Sequence, residues 1–360
     1  MLADSLPKGW GRLPDSSRRI LLQLLRFGPA SRTQLTTALG LSPASLSRMV
    51  VPLLRAGLVI EGRPQYGRSG GSSDGERETQ GRPSIPLEAV PGAGLLVGVA
   101  LTHAEVTVVV TDLTARVLAS RTCPVAARSG VVDLDRAVAD IAALVAELRT
   151  ELTEVPGELI AVGVSMGGNV PDGRTVQRAP FLGWEDVPLA DLLEHATGLP
   201  VRLENDLAAL ARAELWFGLG LASDRFIVVT IGIGVGYSLV VDRRVVVDAD
   251  SGHGSMVGPL LDGLPQFNEL EPGASGLEEA AHRLGCLIGQ ASAFTFPQRA
   301  LVAGESAHLL RGHEDALARG VAEYRHPLAR ELPVEIHETG FDFWARGAAV
   351  EALSWVFGES

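Results

Sequence analysis

The sequence predicts an α/β protein with a small helical head at its N-terminus and a much larger body behind it. Three observations carry that prediction. Residues 16–57 hold three short apolar stripes at helical spacing, each bounded by cap and stop residues. From residue 95 onward, strand patterns alternate with helical ones, which is the texture of a ligand-binding α/β domain. Charge divides at nearly the same point: residues 1–85 carry +6 and residues 86–360 carry −18, within a net charge of −12. A polyanion is drawn to the first segment and repelled by the second.

Composition narrows the class further. The chain has 360 residues and is 46% hydrophobic, too long for one ordinary core and too apolar for a wholly disordered protein. There is no run of about 18 apolar residues that would span a membrane. The first residues, MLADSLPKGWGRLPDSSRR, lack the apolar stretch of a secretory signal. Cys123 and Cys286 are the only cysteines, which makes neither a disulfide framework nor a four-ligand zinc site. The expected location is the reducing cytoplasm, with no membrane partner.

The head reads element by element. In SSRRILLQLLRFG, Ile20, Leu21, Leu24 and Leu25 form a stripe and Gly28 supplies a stop. In SRTQLTTALG, Ser31 and Gln34 make a capping-box pattern and Gly40 ends the helix. In SPASLSRMVVPLLRAGL, Ser42 is the N-cap and Pro43 fits the first turn, while Pro52 is expected to kink the helix or end it early. Two short helices joined by a tight glycine turn, the second opening on small polar residues, read as helix-turn-helix. Small side chains at Ser42, Ala44, Ser45 and Ser47 let that helix approach base edges, and Arg48 reaches a base or a phosphate. Thr33, Ser42, Ser45, Ser47, Arg48 and Arg82 are the expected DNA-contacting residues. After GLVIEG comes a Gly/Ser/Arg-rich loop and then GRPSIPLEAV, the pattern of a β-wing carrying Arg63, Arg68, Arg77 and Arg82. Residues 69–80 of it are low in complexity and expected to be mobile.

The body begins with three strand patterns at 95–101, 106–112 and 116–123, followed by an amphipathic helix near 133–150. The strand LIAVGVS runs into the glycine turn 166–168, and a helix near 188–197 leads to PVRLEND. There Asn205 and Asp206 sit where a strand ends and a helix opens. A carboxylate beside a carboxamide can both accept from and donate to neighbouring hydroxyls, as polyol recognition requires; Asp206 acting merely as a helix cap is the alternative. FIVVTIGIGVGYSLVV then gives strand, glycine loop, strand.

These motifs, in this order, resemble the ROK family of repressors, open reading frames and sugar kinases. LENDLAALARAE resembles the family's ENDANAAALAE pattern, TIGIGVG its second phosphate loop, RAPFLGW (178–184) its APN-x-x-GW, and GRPS (81–84) its wing signature. The resemblance implies a winged helix-turn-helix head, residues 1–90, and a two-lobed, actin-like, sugar-kinase-type domain, residues 91–360, that forms a homodimer or homotetramer. It implies sugar contacts at Gly168, Asn205, Asp206 and Ser255, with Asp206 in the place of the family's catalytic base.

The departures from the family pattern weigh against catalysis. The first phosphate loop, GVDxGGT in the family, is GVALTHA here, with Ala100 for the aspartate and Thr102 and His103 for glycines. Side chains there obstruct the close backbone approach that nucleotide phosphates need. At the family's zinc site, Pro259 stands for the histidine and Leu270, Pro272 and Leu277 for the cysteines. Phe181, Ser255 and Pro259 replace further sugar contacts. The expectation is a non-enzymatic, metal-free and cofactor-free regulator, a repressor by family habit. It binds an operator in double-stranded DNA and senses a sugar or a derivative of one. Three alternatives stay open: the same regulator with a non-sugar effector or none, a sugar kinase fused to a DNA-binding head, and a scaffold whose head binds protein.

Overall fold

The computed structural model describes residues 10, 13–63, 84–247, 267, 270–338 and 340–358. The head is built from α1 (Asp15–Phe27), α2 (Arg32–Leu39) and α3 (Pro43–Arg55), followed by strands β1 (Val59–Glu61) and β2 (Leu87–Ala89). Local chemistry sets its boundaries. Ser31 Oγ accepts from the Gln34 N–H at 3.2 Å, and Gln34 Oε1 accepts from the Ser31 N–H at 2.8 Å, a complete capping box. Gly40 closes α2 in the left-handed region, at φ 64°, where a side chain would be strained. Ser42 then caps α3, and α2 and α3 meet at 108°, within the usual range for a helix-turn-helix. Leu24, Leu35, Leu46, Leu53 and Leu58 are buried between the helices and the β1–β2 pair. That antiparallel pair, with Val59 opposite Ala89, forms the base of the wing. The wing tip, including Arg68, Arg77, Arg82 and the 69–80 stretch, lies outside the described residues.

Of the two outcomes expected at Pro52, early termination does not occur: α3 continues to Arg55. The proline removes one hydrogen bond, to the carbonyl four residues back at Arg48. Arg48 is exposed and Pro52 half-exposed, while Leu46, Val50 and Leu53 on the other face are fully packed. Core packing outweighs the single lost bond.

The body has two lobes, each with a five-stranded sheet. The first sheet holds β3 (Leu95–Leu101), β4 (Glu105–Thr111), β5 (Val117–Pro124), β8 (Leu159–Met166) and β11 (Val201–Asn205), in the order β11-β8-β3-β4-β5. β4 pairs antiparallel with both β3 and β5, whereas β3, β8 and β11 run parallel. Two small hairpins decorate it: β6 (Ala127–Arg128) with β7 (Val131–Val132), and β9 (Val176–Ala179) with β10 (Trp184–Val187). Helices α4 (Leu134–Glu151) and α5 (Leu189–Thr197) share a core with one face of this sheet.

The second sheet holds β12 (Phe226–Ile231), β13 (Val235–Val241), β14 (Arg244–Val245), β15 (Arg299–Ala303) and β16 (Val334–Ile336), in the order β14-β13-β12-β15-β16. Its outer face packs on α7 (Leu277–Thr295) and α8 (Glu314–Glu323). Between the sheets lie α6 (Asp206–Phe217) and α9 (Phe341–Val356), packed on each other. Close approach of α9 to the first sheet depends on two glycines. A Cβ on Gly98 or Gly163 would fall on the carbonyl oxygen of Ala345 or Ala348.

The head is continuous with this middle layer. Its leucines and the apolar faces of α6 and α9 belong to one cluster, and Trp10 stacks on Phe357 with ring centres 6.1 Å apart. Two arginines of α1 cap body helices from outside. Arg26 donates to the Leu215 and Trp216 carbonyls at the end of α6, at 2.9 and 3.2 Å. Arg18 donates to the Phe357 carbonyl just past the end of α9, at 3.3 Å. A cation at a helix C-terminus satisfies orphan carbonyls and complements the helix dipole. No single helix among the described residues is long and apolar enough to cross a membrane.

Candidate functional site: an interlobe cavity and an exposed helical head

Where the strands of both sheets end, the lobes enclose a cavity of about 390 Å³. Such crevices at the carboxyl ends of parallel strands are where open α/β sheets take ligands. The first lobe contributes the β3–β4 turn, the Gly167–Gly168 turn after β8, Phe181, and the junction of β11 with α6. The second contributes the loop between β12 and β13 and Glu305 after β15, while Trp344 comes from α9.

The β11–α6 junction divides its work between two neighbours. Asn205 is the helix cap: its Oδ1 accepts from the Leu207 and Ala208 N–H groups at 3.0 and 3.3 Å. Its Nδ2 donates to the Gly168 carbonyl at 3.0 Å. Both ends of that amide are engaged, and the residue is only 6% exposed. Asn205 thus positions Gly168 and α6 while itself lining the cavity. Asp206, the other candidate cap, is instead the first residue of the helix and lines the cavity. One carboxylate oxygen accepts from its neighbour's N–H, that of Leu207, at 2.8 Å. Loss of water in the cavity wall pushes its pKa up to about 6, against the pull of the Leu207 hydrogen bond and with a smaller push from Glu305.

Gly168 lines the cavity beside Gly167, and a side chain there would run into the Arg178 carbonyl and Ala179. Phe181, 42% exposed, lines the same wall beside Gly167 and makes that side apolar. Ser255, with Met256 and Pro259, lies outside the described residues.

Beneath the junction is a buried ionic layer. Glu204 Oε1 accepts from the Asn205 N–H at 2.8 Å. Burial, with Glu351 adding, raises the Glu204 pKa to about 7. Glu351 on α9 pairs with Arg212 on α6, and with Arg202 at 3.8 Å. These charges fix β11, α6 and α9 in one register under the cavity floor.

Two further cavity residues escaped sequence reading. Glu305 stands so close to Gly232 that a Cβ there would strike its carboxylate. Desolvation raises its pKa, and its carboxyl group crowds the glycine loop. Trp344 keeps a buried indole N–H without a protein partner among the described residues. Neither belongs to a motif, and only the fold brings them to the cavity.

At the first phosphate-loop position the structure has a closed turn. The Thr102 hydroxyl accepts from the Ala104 and Glu105 N–H groups at 3.2 and 3.0 Å and donates to the Glu105 carbonyl at 3.0 Å. Amides that would cradle a phosphate are already bonded. At the positions compared with zinc cysteines, Leu277 is packed in the second lobe's core and Leu270 against it.

On the head, Thr33, Ser42, Ser47 and Arg48 are exposed and Ser45 is half-buried. Their hydroxyls have local duties. Ser42 Oγ accepts from the Ser45 N–H at 3.2 Å and contacts Ser45 Oγ at 2.9 Å, while Ser47 donates to the Pro43 carbonyl at 2.9 Å. Ser42 is thus first a cap. The Arg48 guanidinium has no hydrogen bond or ion pair among the described residues and faces solvent, whereas Arg32 is held by Glu61 of β1 at 2.6 Å. Arg82 lies outside the described residues.

With this geometry in place, comparison with known proteins is informative. A family model described as the ROK family matches residues 97–260. A putative xylose repressor of Caldicellulosiruptor sp. (strain Rt8B.4) is 28% identical over 227 residues, which is 63% of this chain and 53% of that protein. The chain spans little more than half the length of such curated relatives. The crystal structure of a ROK family transcriptional regulator, described as a homologue of the Escherichia coli MLC protein, superposes with a TM-score of 0.69 at 19% identity, over 96% of each chain. A ROK family glucokinase from Streptomyces griseus, crystallised with glucose and AMPPNP, superposes with a TM-score of 0.56 at 22% identity, over 72% of this chain and 99% of its own. At these identities the structures establish the fold: an actin-like body of sugar-kinase type behind a helix-turn-helix head.

Proposed function

We propose that this chain, which matches the ROK family model over residues 97–260, is a DNA-binding transcriptional regulator, a repressor, whose kinase-like body senses a small ligand without turning it over. The head supplies the DNA grip. Arg48 and the small residues of α3 face the major groove, and the wing arginines meet phosphate or the minor groove. A homodimer or homotetramer sets two heads about 34–36 Å apart on a near-palindromic operator in double-stranded DNA. Chain division near residue 90, a cytoplasmic location and independence from cofactors and metal-assisted catalysis belong to this reading.

One observation carries it. α6 begins at the cavity, with Asp206, and ends on the head, at Arg26. α9 repeats the pattern, with Trp344 at the cavity and the Phe357 carbonyl beneath Arg18. At 1.5 Å per residue, α6 is a rod of about 18 Å joining the two sites. A ligand that favours one spacing of the lobes shifts both helix ends, and with them the heads.

The cavity suits a polyol of monosaccharide size: Asp206 accepts, the Trp344 indole donates, Phe181 offers an apolar face, and Gly167–Gly168 let a ring approach the backbone. Phosphoryl transfer fits poorly, because Thr102 occupies the loop amides and the Glu305 carboxyl group crowds the glycine loop. Selection of bound duplexes from a random pool by the purified protein tests the proposal. A palindromic consensus is the expected result, and recovery of no sequence above background would defeat it. Calorimetry with a panel of monosaccharides and their phosphates tests the sensor. Saturable binding lost in Asp206→Ala supports a sugar class, and binding of none transfers the cavity to a non-sugar effector.

A further inference from the structure

Away from the cavity, on the outer face of the second lobe, three donor groups of different chemistry converge between α7 and α8. His282 and Cys286 lie one helical turn apart on α7, the spacing that places two side chains on one face. Glu323 ends α8 opposite them. His282 Nε2 stands 3.1 Å from Glu323 Oε2. Cys286 Sγ stands 3.9 and 4.0 Å from the two ring nitrogens of His282, and 4.0 Å from Glu323 Oε2. All three donors therefore lie within 4.8 Å of one another.

Backbone design brings them together. α7 and α8 cross in contact because both carry glycine where they touch. A Cβ on Gly285 would land on the Leu317 carbonyl oxygen, and a Cβ on Gly320 on the His282 carbonyl oxygen. This close crossing is what lets a glutamate as short as Glu323 reach the face of α7. The residues line a cleft of about 300 Å³ open to solvent on one side, so an entry path and room for a water ligand both exist. Arg283, the cation beside them, is paired to Glu279 at 3.1 Å.

We propose that His282, Cys286 and Glu323 form a binding site for one thiophilic divalent cation of the zinc class. Zinc held tetrahedrally by imidazole, thiolate and carboxylate at ~2.0–2.3 Å separates its ligands by roughly 3.3–3.6 Å. With His282 ligating through Nε2, the three separations, 3.1, 4.0 and 4.0 Å, bracket that figure, and changes of about half an ångström, within rotamer adjustment, close the set. Water fills the fourth position, and the ion ties α7 to α8 across their glycine contact. A bare His–Glu ion pair requires no thiol, whereas here the sulfur is within reach of both partners. The positions Leu270, Pro272 and Leu277, compared above with zinc cysteines, are not part of this set.

Cobalt(II) titration of the full-length, metal-stripped protein tests the site, with absorption spectroscopy reading the ligands. Wild type is expected to bind one equivalent with a thiolate-to-cobalt charge-transfer band and tetrahedral visible bands, and zinc is expected to displace the cobalt. Cys286→Ser removes the charge-transfer band. His282→Gln and Glu323→Gln each weaken cobalt at least tenfold, while Cys123→Ser leaves band and affinity unchanged. Circular dichroism of each variant confirms the fold. Absence of a cobalt band in wild type, or persistence of wild-type affinity in any one of the three ligand variants, overturns the proposal.

Discussion

Arg26 offers the sharpest test of the link between head and body. Its guanidinium donates two hydrogen bonds to the last carbonyls of α6, at 2.9 and 3.2 Å, and the side chain is half-buried. Hydrogen bonds from a charged donor contribute about 1.5–3 kcal/mol each when well buried. Partial exposure screens them, and the dipole contribution at a helix end adds only about 0.3–1 kcal/mol. Together the pair is worth about 2 kcal/mol. Arg26→Met keeps the unbranched stem and its packing but removes every donor, so the loss falls on the hydrogen bonds. Native-state hydrogen exchange reads the outcome locally. Amides of α1 are expected to lose about 30-fold in protection, the equivalent of 2 kcal/mol, while amides of β3 and β8 keep theirs. Arg26→Lys, with a charge but no fork, falls between. Unchanged protection in α1 would refute the reasoning, and so would equal loss throughout the body, because the arginine would then be no local tie.

Other outcomes follow from the same geometry. Asp206 has a folded-state pKa raised from 3.8 to about 6, so its contribution is complete below the lower value and is lost as pH rises through the upper one. Asp206→Asn is therefore expected to stabilise the protein at pH 7.5, by at most about 3 kcal/mol, while abolishing ligand binding; thermal melts across pH check the first and calorimetry the second. Glu204, raised from 4.5 to about 7, has the same sign over a higher window. Glu204→Gln is expected to flatten the fall in melting temperature between pH 5 and 8 and to leave the acid side unchanged. Arg48→Ala is expected to weaken operator binding by about 1–3 kcal/mol and relax preference at one base pair if the guanidinium reads a base, and to lower the salt slope by about one if it holds a phosphate.

Much of the head was legible because its signals are local. The Ser31–Gln34 box, the Gly40 stop and the Ser42 cap all act within four residues, and each forms as the sequence indicates. Pro52 does not end α3 because the lost hydrogen bond lies on a solvent-facing side while the opposite face is packed by Leu46, Val50 and Leu53. In the body, strand ends were legible from apolar runs closing on glycine or polar residues, which placed Asp206 at the cavity. The partition of roles between Asn205 and Asp206 was not, since a cap and a ligand contact demand the same residue types at adjacent positions. Arg26, Trp344 and Glu305 take their places beside groups far away in sequence: Arg26 meets carbonyls 189 and 190 residues away. No periodicity or spacing announces such placements, and only the packing of α1 on the body and of the two sheets around α6 and α9 creates them.

Fluorescence anisotropy of a labelled duplex carrying the selected sequence, titrated with the purified protein over a range of salt, reaches the heart of the matter. Binding at least a thousandfold tighter than to a scrambled duplex, weakening steeply with salt and released by the cavity's ligand, is the expected result. Equal, feeble affinity for both duplexes at low salt would contradict a DNA-reading head and leave the cavity without anything to control.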